Sequence, residues 1–238
     1  MSKIRVFCIA IFFSAFSAYP QYNGKNFSIG LSAVYTTSAK VYLNPNSSDL
    51  ILRNNSFPLE DIFNPGLDFR YRLTDPLLLG FNIEYIKKTE FGQNLTVLFR
   101  GNTFQITVED GFRLIPLELS LYYQLPFSTE FFKFLIGGGA GYYFGDQVRK
   151  FGDIEVKNVS RKTAFGIHVI ISMDYLVLQN FSIRTEMKFR DPQFTVKSAY
   201  TKNETVYNGR EINLPQSSFD SKINLDGVTF ILGAAFHF

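Results

Sequence analysis

The chain has two histidines, His168 and His237, so any acid–base or nucleophilic chemistry that needs an imidazole must use one of them. His168 lies in AFGIHVIISMDYL, where alternation puts it on one face with Ser172 and Asp174, so a hydrogen bond to either is conceivable. His237 is the penultimate residue. Both fall on the smaller, more polar face of their stretches, away from the lipid that a lipid-modifying enzyme would serve. The carboxylates Glu60, Asp61, Glu109, Asp110, Glu204 and Glu211 sit in polar stretches without the spacing of a metal site and without a histidine beside them. Gly137-Gly138-Gly139 could suggest a phosphate cradle, but no P-loop lysine and serine and no helical pattern follow it. We therefore expect no catalytic residues, no cofactor and no metal. What remains is a set of charges that alternate with apolar residues: Asp68, Arg70, Arg72, Glu84, Glu118, Lys133, Asp174, Arg184, Glu186, Lys188 and Arg190. Both signs are present and nearly balanced. Such a set can line a selective pore or fill a narrow interior with ion pairs.

The elements that carry these charges read as strands. Leu67, Phe69, Tyr71 and Leu73 oppose Asp68, Arg70 and Arg72, and Ile115, Leu117, Leu119, Leu121 and Tyr123 oppose Glu118, Ser120, Tyr122 and Gln124. Similar period-two stretches begin at Phe27, Leu77, Phe132, Phe165 and Phe181, and the chain ends on another, with Phe230, Leu232, Ala234, Phe236 and Phe238 on one face. In the stretch from Phe132 the inward set includes Gly137, Gly139 and Gly141, which would leave room for bulky side chains from across a narrow barrel. The connections alternate. Short ones fall at 74–76, 126–130 and 176–180; long polar ones fall at 37–62, 89–111, 146–161 and 191–225. Within 89–111, Arg100-Gly101-Asn102-Thr103 reads as a hairpin tip that carries two strands past the apolar band, with Glu109-Asp110-Gly111 as a rival turn. Phe194 to Tyr207 could form a short exposed hairpin.

The ends and the composition bound the setting. Lys3 and Arg5 precede an apolar run from Val6 to Phe16 and the small residues Ser14, Ala15, Ser17 and Ala18, the pattern of a secretory signal peptide over 1–18, with a retained anchor as the alternative. Cys8, the chain's one cysteine, lies inside that run, so the remainder, 19–238, is expected to fold as one domain without disulfides. Hydrophobic residues make up 46% of the chain, with 27 Phe and 13 Tyr, yet the mean hydropathy is near zero. Interleaving of apolar and polar residues gives that combination. A net charge of +3, spread along the chain, does not argue for nucleic acid. Aromatics collect at both ends of the apolar faces: Phe27, Tyr71, Tyr123, Phe132, Tyr175, Phe181 and Phe238 on the short-turn side, and Tyr35, Tyr85, Tyr142, Phe144, Phe165 and Phe189 on the long-connection side. Two girdles around an apolar band are the layout of a barrel in lipid. A soluble ligand-carrying barrel would be inside out by comparison.

In this layout the chain resembles the small eight-stranded outer-membrane barrels of Gram-negative bacteria, of the OmpA and OmpX kind. PLELSLYYQLP followed by FLIGGGAGYYFG also resembles strands of the outer-membrane β-barrel domain of Bacteroidetes-type bacteria. The resemblance implies an all-β fold, an antiparallel up-and-down transmembrane β-barrel of about eight strands. It implies location in the outer membrane after cleavage of the signal. It also implies that Phe230, Leu232, Phe236 and Phe238 form the signal read by the barrel assembly machinery. The chain is expected to depart from OmpA-type proteins in ending with the barrel, without a peptidoglycan-binding domain.

Expected partners are outer-membrane lipid, the assembly machinery and an extracellular ligand of the four long connections, with Tyr200, Tyr207 and Phe219 as exposed candidates for contact; a monomer is expected. An ion-paired plug is favoured over a conducting pore, because eight strands leave an interior just wide enough for side chains. The function expected is a structural or surface-interaction barrel, with a small channel as the alternative and a lipid-modifying enzyme as a third reading.

Overall fold

The computed structural model describes residues 24–99, 102–207, 210–214 and 218–238. The expected signal segment 1–18, with Cys8, lies outside the described residues. Among the described residues fourteen strands form one antiparallel sheet. In chain order they are β1 (Phe27–Tyr42), β2 (Ser56–Arg72), β3 (Leu77–Glu84), β4 (Ile86–Phe99), β5 (Asn102–Gln124), β6 (Phe132–Phe151), β7 (Ile154–Lys162), β8 (Ala164–Leu178), β9 (Phe181–Arg190), β10 (Gln193–Tyr200), β11 (Glu204–Tyr207), β12 (Arg210–Asn213), β13 (Ser218–Asn224) and β14 (Val228–His237). One five-residue helix, α1 (Leu50–Asn54), interrupts them. No helix among the described residues is long and apolar enough to cross a membrane.

The sheet closes on itself. The circuit runs β1–β2–β3–β5–β6–β8–β9–β14 and back to β1, where Ser28 faces His237 and Thr36 faces Thr229. Closure leaves no free edge at this level. The short connections lie where the alternation placed them, between β2 and β3, between β5 and β6, and between β8 and β9. Phe27 and Phe238 bond backbone to backbone at the same end (2.9 Å).

The strand count exceeds the expected eight, and the excess lies in the stretches read as long loops. β1 and β2 pair as far as Tyr42 and Ser56, so much of 37–62 is strand. β4 and β5 form a hairpin from Ile86↔Leu114 to Phe99↔Asn102. The tip at 100–101 lies outside the described residues, but the flanking strands do continue past the apolar band. The rival turn at Glu109-Asp110-Gly111 is instead mid-strand in β5. β6 and β7 join through Gly152, whose φ of +54° suits glycine. Phe194 to Tyr207 is not a hairpin: β10 pairs with β7 and β13, while β11 pairs with β12. The barrel thus has a β-extension beyond its aromatic girdle.

The physical reason is visible along β5. From Tyr123 to Ile115 the outward residues are apolar and the inward ones include Tyr122, Ser120 and Glu118. Beyond Ile115 the outward residues become Arg113, Glu109, Thr107 and Gln105, while Leu114, Phe112, Val108 and Ile106 turn inward and are buried. Register is kept and polarity inverts. The same inversion occurs in β6, where Phe144 is the last outward aromatic before Asp146, and from β9 to β10, where Arg190 is followed inward by buried Phe194 and Val196. Below the inversion the outside suits lipid; above it the outside suits water.

Candidate functional site

The interior below the inversion brings together nine of the eleven charged residues singled out in the sequence. They form two groups. In the first, Arg184 grips Asp174 with two parallel bonds (Nε–Oδ1 2.7 Å, Nη2–Oδ2 2.8 Å) and also reaches Asp68. Arg70 pairs with Glu186, which accepts a hydrogen bond from Ser172 (3.0 Å). The Arg70 guanidinium lies over the Tyr122 ring at 4.2 Å. In the second group, Lys188 donates to Glu118 (2.5 Å) and Glu84 (3.1 Å), and Arg190 donates to the same two carboxylates (2.8–3.0 Å). Tyr143 donates to Glu118 at 2.8 Å. These side chains sit on β2, β3, β5, β6, β8 and β9, so the network ties opposite walls together. The other two residues, Arg72 and Lys133, stand apart at the short-turn end, where Arg72 donates to the carbonyl of Asp75 (2.8 Å).

Glycines set the space. A Cβ on Gly80 or Gly137 would meet the Tyr122 ring at 2.6–2.8 Å, and one on Gly141 would meet the Tyr143 hydroxyl at 2.8 Å. The inward glycines Gly137 and Gly141 therefore make room for a ring of the adjacent strand, Tyr122, and for one of β6 itself, Tyr143, rather than for side chains from the opposite wall as expected.

Each histidine pairs with a serine. His168 Nε2 pairs with Ser120 Oγ (2.7 Å), not with Ser172 or Asp174, and His237 Nε2 pairs with Ser182 Oγ (2.8 Å). All four residues are buried inside the barrel. Among the described residues no group of three or more His, Cys, Asp or Glu side chains could hold a metal ion.

Directly above the charges an apolar cluster fills the extension, with Ile62, Ile86, Phe112, Leu114, Phe194 and Ile223 among its members. A second cluster of Leu95, Val97, Ile106, Val108, Phe151, Ile154 and Ile212 lies further out. Near this level sits a polar pair in stretches expected as long connections. Arg149 bonds Asp110 twice (2.7 and 3.0 Å) and Tyr200 once (3.0 Å). Burial opposes the Arg149 charge, but the Asp110 carboxylate more than restores it and raises its pKa. Tyr200 and Phe219 are not exposed as expected. Their rings lie 5.1 Å apart, with Arg149 4.7 Å from the Phe219 ring. Tyr207 packs against the outer apolar cluster. The signal for the Arg149–Asp110 pair was present in the sequence, because both residues keep the inward parity of β6 and β5.

The outward face carries both girdles. On the short-turn side Phe27 packs on Tyr71 (4.7 Å) and Phe132 on Tyr175 (4.8 Å). On the other side Tyr35 packs on Phe63 (4.7 Å) and Tyr142 on Phe144 (4.8 Å). Between them Leu31, Leu119, Ile167 and Leu232 are more than half exposed. Phe230, Phe236 and Phe238 are also on this face.

No protein-family model and no curated protein matches the sequence. Solved structures do match the fold. The outer membrane protein OprG from Pseudomonas aeruginosa superimposes with a TM-score of 0.63 at 13% identity, over 93% of this chain and 99% of that one. Neisserial surface protein A (TM-score 0.44, 15% identity, 89% and 97% covered) and Ail, the attachment invasion locus protein of Yersinia pestis (0.45, 10%, 90% and 99%), superimpose less closely. These matches do not single out the OmpA and OmpX kind that the sequence resembles. The chain has the all-antiparallel fold of an outer-membrane β-barrel.

Proposed function

We propose that this chain is an integral outer-membrane protein whose barrel is plugged and whose β-extension is its working surface, in a structural or surface-interaction role without catalysis. The observation that carries this reading is the two-by-two group of Lys188 and Arg190 with Glu84 and Glu118. All four side chains are essentially excluded from solvent, and the apolar cluster seals them from above. Removing either partner would leave a buried charge, at several kcal/mol or so. A water path would instead leave some of these groups hydrated.

The remaining parts follow from the same reading. Residues 1–18 act as the export signal and 19–238 as the barrel. The lipid-facing band contacts the outer membrane. Phe230, Leu232, Phe236 and Phe238 on the closing strand are presented to the assembly machinery. The protein is a monomer, does not bind nucleic acid, and meets its ligand through the segments 37–62, 89–111, 146–161 and 191–225.

Planar-bilayer conductance of the refolded protein tests the plug. Insertion is checked separately by the mobility difference between unheated and boiled samples. A silent, inserted protein is expected. Discrete steps that change when Arg70 or Glu186 is neutralised would mean that the interior charges line a water path, and the channel reading would replace this one.

A further inference from the structure

The outer end of the extension holds two adjoining cavities of about 220 and 250 Å³. They share the walls Leu43, Asn44, Asn94 and Thr96. Together they reach the size range of small-molecule sites, about 300–1,000 Å³. Three features distinguish them from packing defects.

First, β4 carries a bulge at this point. Gly92 faces Val108 and Leu95 faces Ile106, so Gln93 and Asn94 together oppose Thr107. A bulge re-aims side chains, and both of these residues line the first cavity. Second, Asn94 Nδ2 is shielded from solvent and has no hydrogen-bond acceptor. A buried donor left unpaired is costly, and a ligand oxygen that reaches it would supply the missing acceptor. Third, the lining has a definite chemistry. Among the described residues that line it, the first cavity has no charged side chain: its polar groups include the amides of Asn44, Gln93, Asn94 and Gln105, and Phe57 supplies an apolar wall. Among the described residues that line the second cavity the one charge is Arg149, already neutralised by Asp110, beside the rings of Tyr200 and Phe219.

Side-chain amides offer a donor and an acceptor a short distance apart, the pattern that adjacent hydroxyls on a sugar ring present in return. Aromatic and leucine walls suit the C–H face of such a ring. A charged ligand would find no uncompensated counter-charge here. We propose that these cavities form a binding site for a short neutral saccharide at the outer end of the barrel. The proposal rests on the reading of the extension as the working surface and names the ligand class for it.

The test is saturation-transfer NMR on the refolded, detergent-solubilised protein. Maltose, lactose and N,N′-diacetylchitobiose serve as probes, with lactose 3′-sulfate and triglycine as contrasts. Expected is transfer from at least one neutral disaccharide at about 1 mM. Affinity should fall at least about tenfold in both Asn94→Leu and Gln105→Ala and stay unchanged in Lys157→Ala. Gln105 is exposed, so its variant keeps the test valid if Asn94→Leu does not fold. Equal binding to all variants would overturn the site. Binding of only the sulfated sugar or the peptide would overturn the ligand class. Transfer from none of the probes, with the protein inserted and silent in bilayers, would overturn the saccharide site and leave the plugged barrel standing. A conducting protein would remove the reading on which the proposal rests.

Discussion

Lower and upper β5 are one continuous strand in one register, yet they follow opposite rules. Below Ile115 the inward side is polar and ion-paired, and the outward side is leucine-rich. Above Arg113 the inward side is apolar apart from Asp110, which is paired with Arg149, and the outward side is polar at Glu109, Thr107 and Gln105. One wall is therefore built for two solvents. In the lower part the outside suits lipid, which would take the apolar side chains and leave the interior to satisfy its own charges. In the upper part the outside suits water, and the interior is a hydrophobic core around the buried Arg149–Asp110 pair.

The largest expected effect comes from breaking the lower rule. Glu118→Ala strands Lys188 and Arg190 beside Glu84 alone and should cost about 3–5 kcal/mol, read from urea unfolding of the micelle-bound barrel. Leu114→Ala breaks the upper rule instead. It opens a cavity in the apolar cluster and should cost about 2–5 kcal/mol in the same assay, with the lower ion pairs intact by NMR. A third pair sharpens the comparison on the outward face. Leu119→Arg puts a charge in lipid and should cost about 2–4 kcal/mol, whereas Thr107→Arg, on the same face of the same strand, should stay within about 0.5 kcal/mol. Equal costs at 107 and 119 would erase the distinction between the two regions.

The smallest effect is in the outer hairpin, at the exposed contact between Lys202, Thr205 and Asp153. The side-chain hydrogen bonds from Lys202, and then from Thr205 (2.5 Å), hold the Asp153 carboxyl below its usual range. A depressed carboxyl stabilises the fold above its unfolded pKa and loses that contribution as pH falls through the folded value. The Thr205 amide resonance should therefore report loosening below about pH 4, and Asp153→Asn should abolish that titration.

Much of the lower region was legible in the sequence. Asp68, Arg70, Arg184, Glu186, Lys188 and Arg190 could be assigned to one interior because period-two alternation with apolar outward partners is unambiguous there. Arg72 and Lys133 share that parity but sit at the rim, because parity fixes a face and not a height. The pairing of Lys188 with both Glu84 and Glu118 depends on the relative heights of β3, β5 and β9, which no single strand encodes. In the upper region 89–111, with its hairpin tip at 100–103, reads as strand in the sequence, and there the alternation of Ile106 and Val108 with Thr107 and Glu109 continues with its polarity reversed. The other long connections hide their strands because the apolar-outside pattern of the lower region does not extend into them. At residues 37 and 61 the inward parity of β1 and β2 also slips by one. Asp61 takes a positive φ of 52° at that slip, a local irregularity that hides the continuation of both strands.

The most direct measurement is a cysteine scan along the outward face of β5, from Gln105 to Tyr123, in a chain with Cys8 replaced by Ser. Each variant is reconstituted in lipid and exposed to a membrane-impermeant maleimide. The inversion predicts labelling at 105, 107 and 113 and protection from 115 to 121. Labelling along the whole face would mean that the lower barrel does not sit in lipid. Protection reaching 107 would mean that the extension is embedded with it, and either result would contradict the two-solvent account.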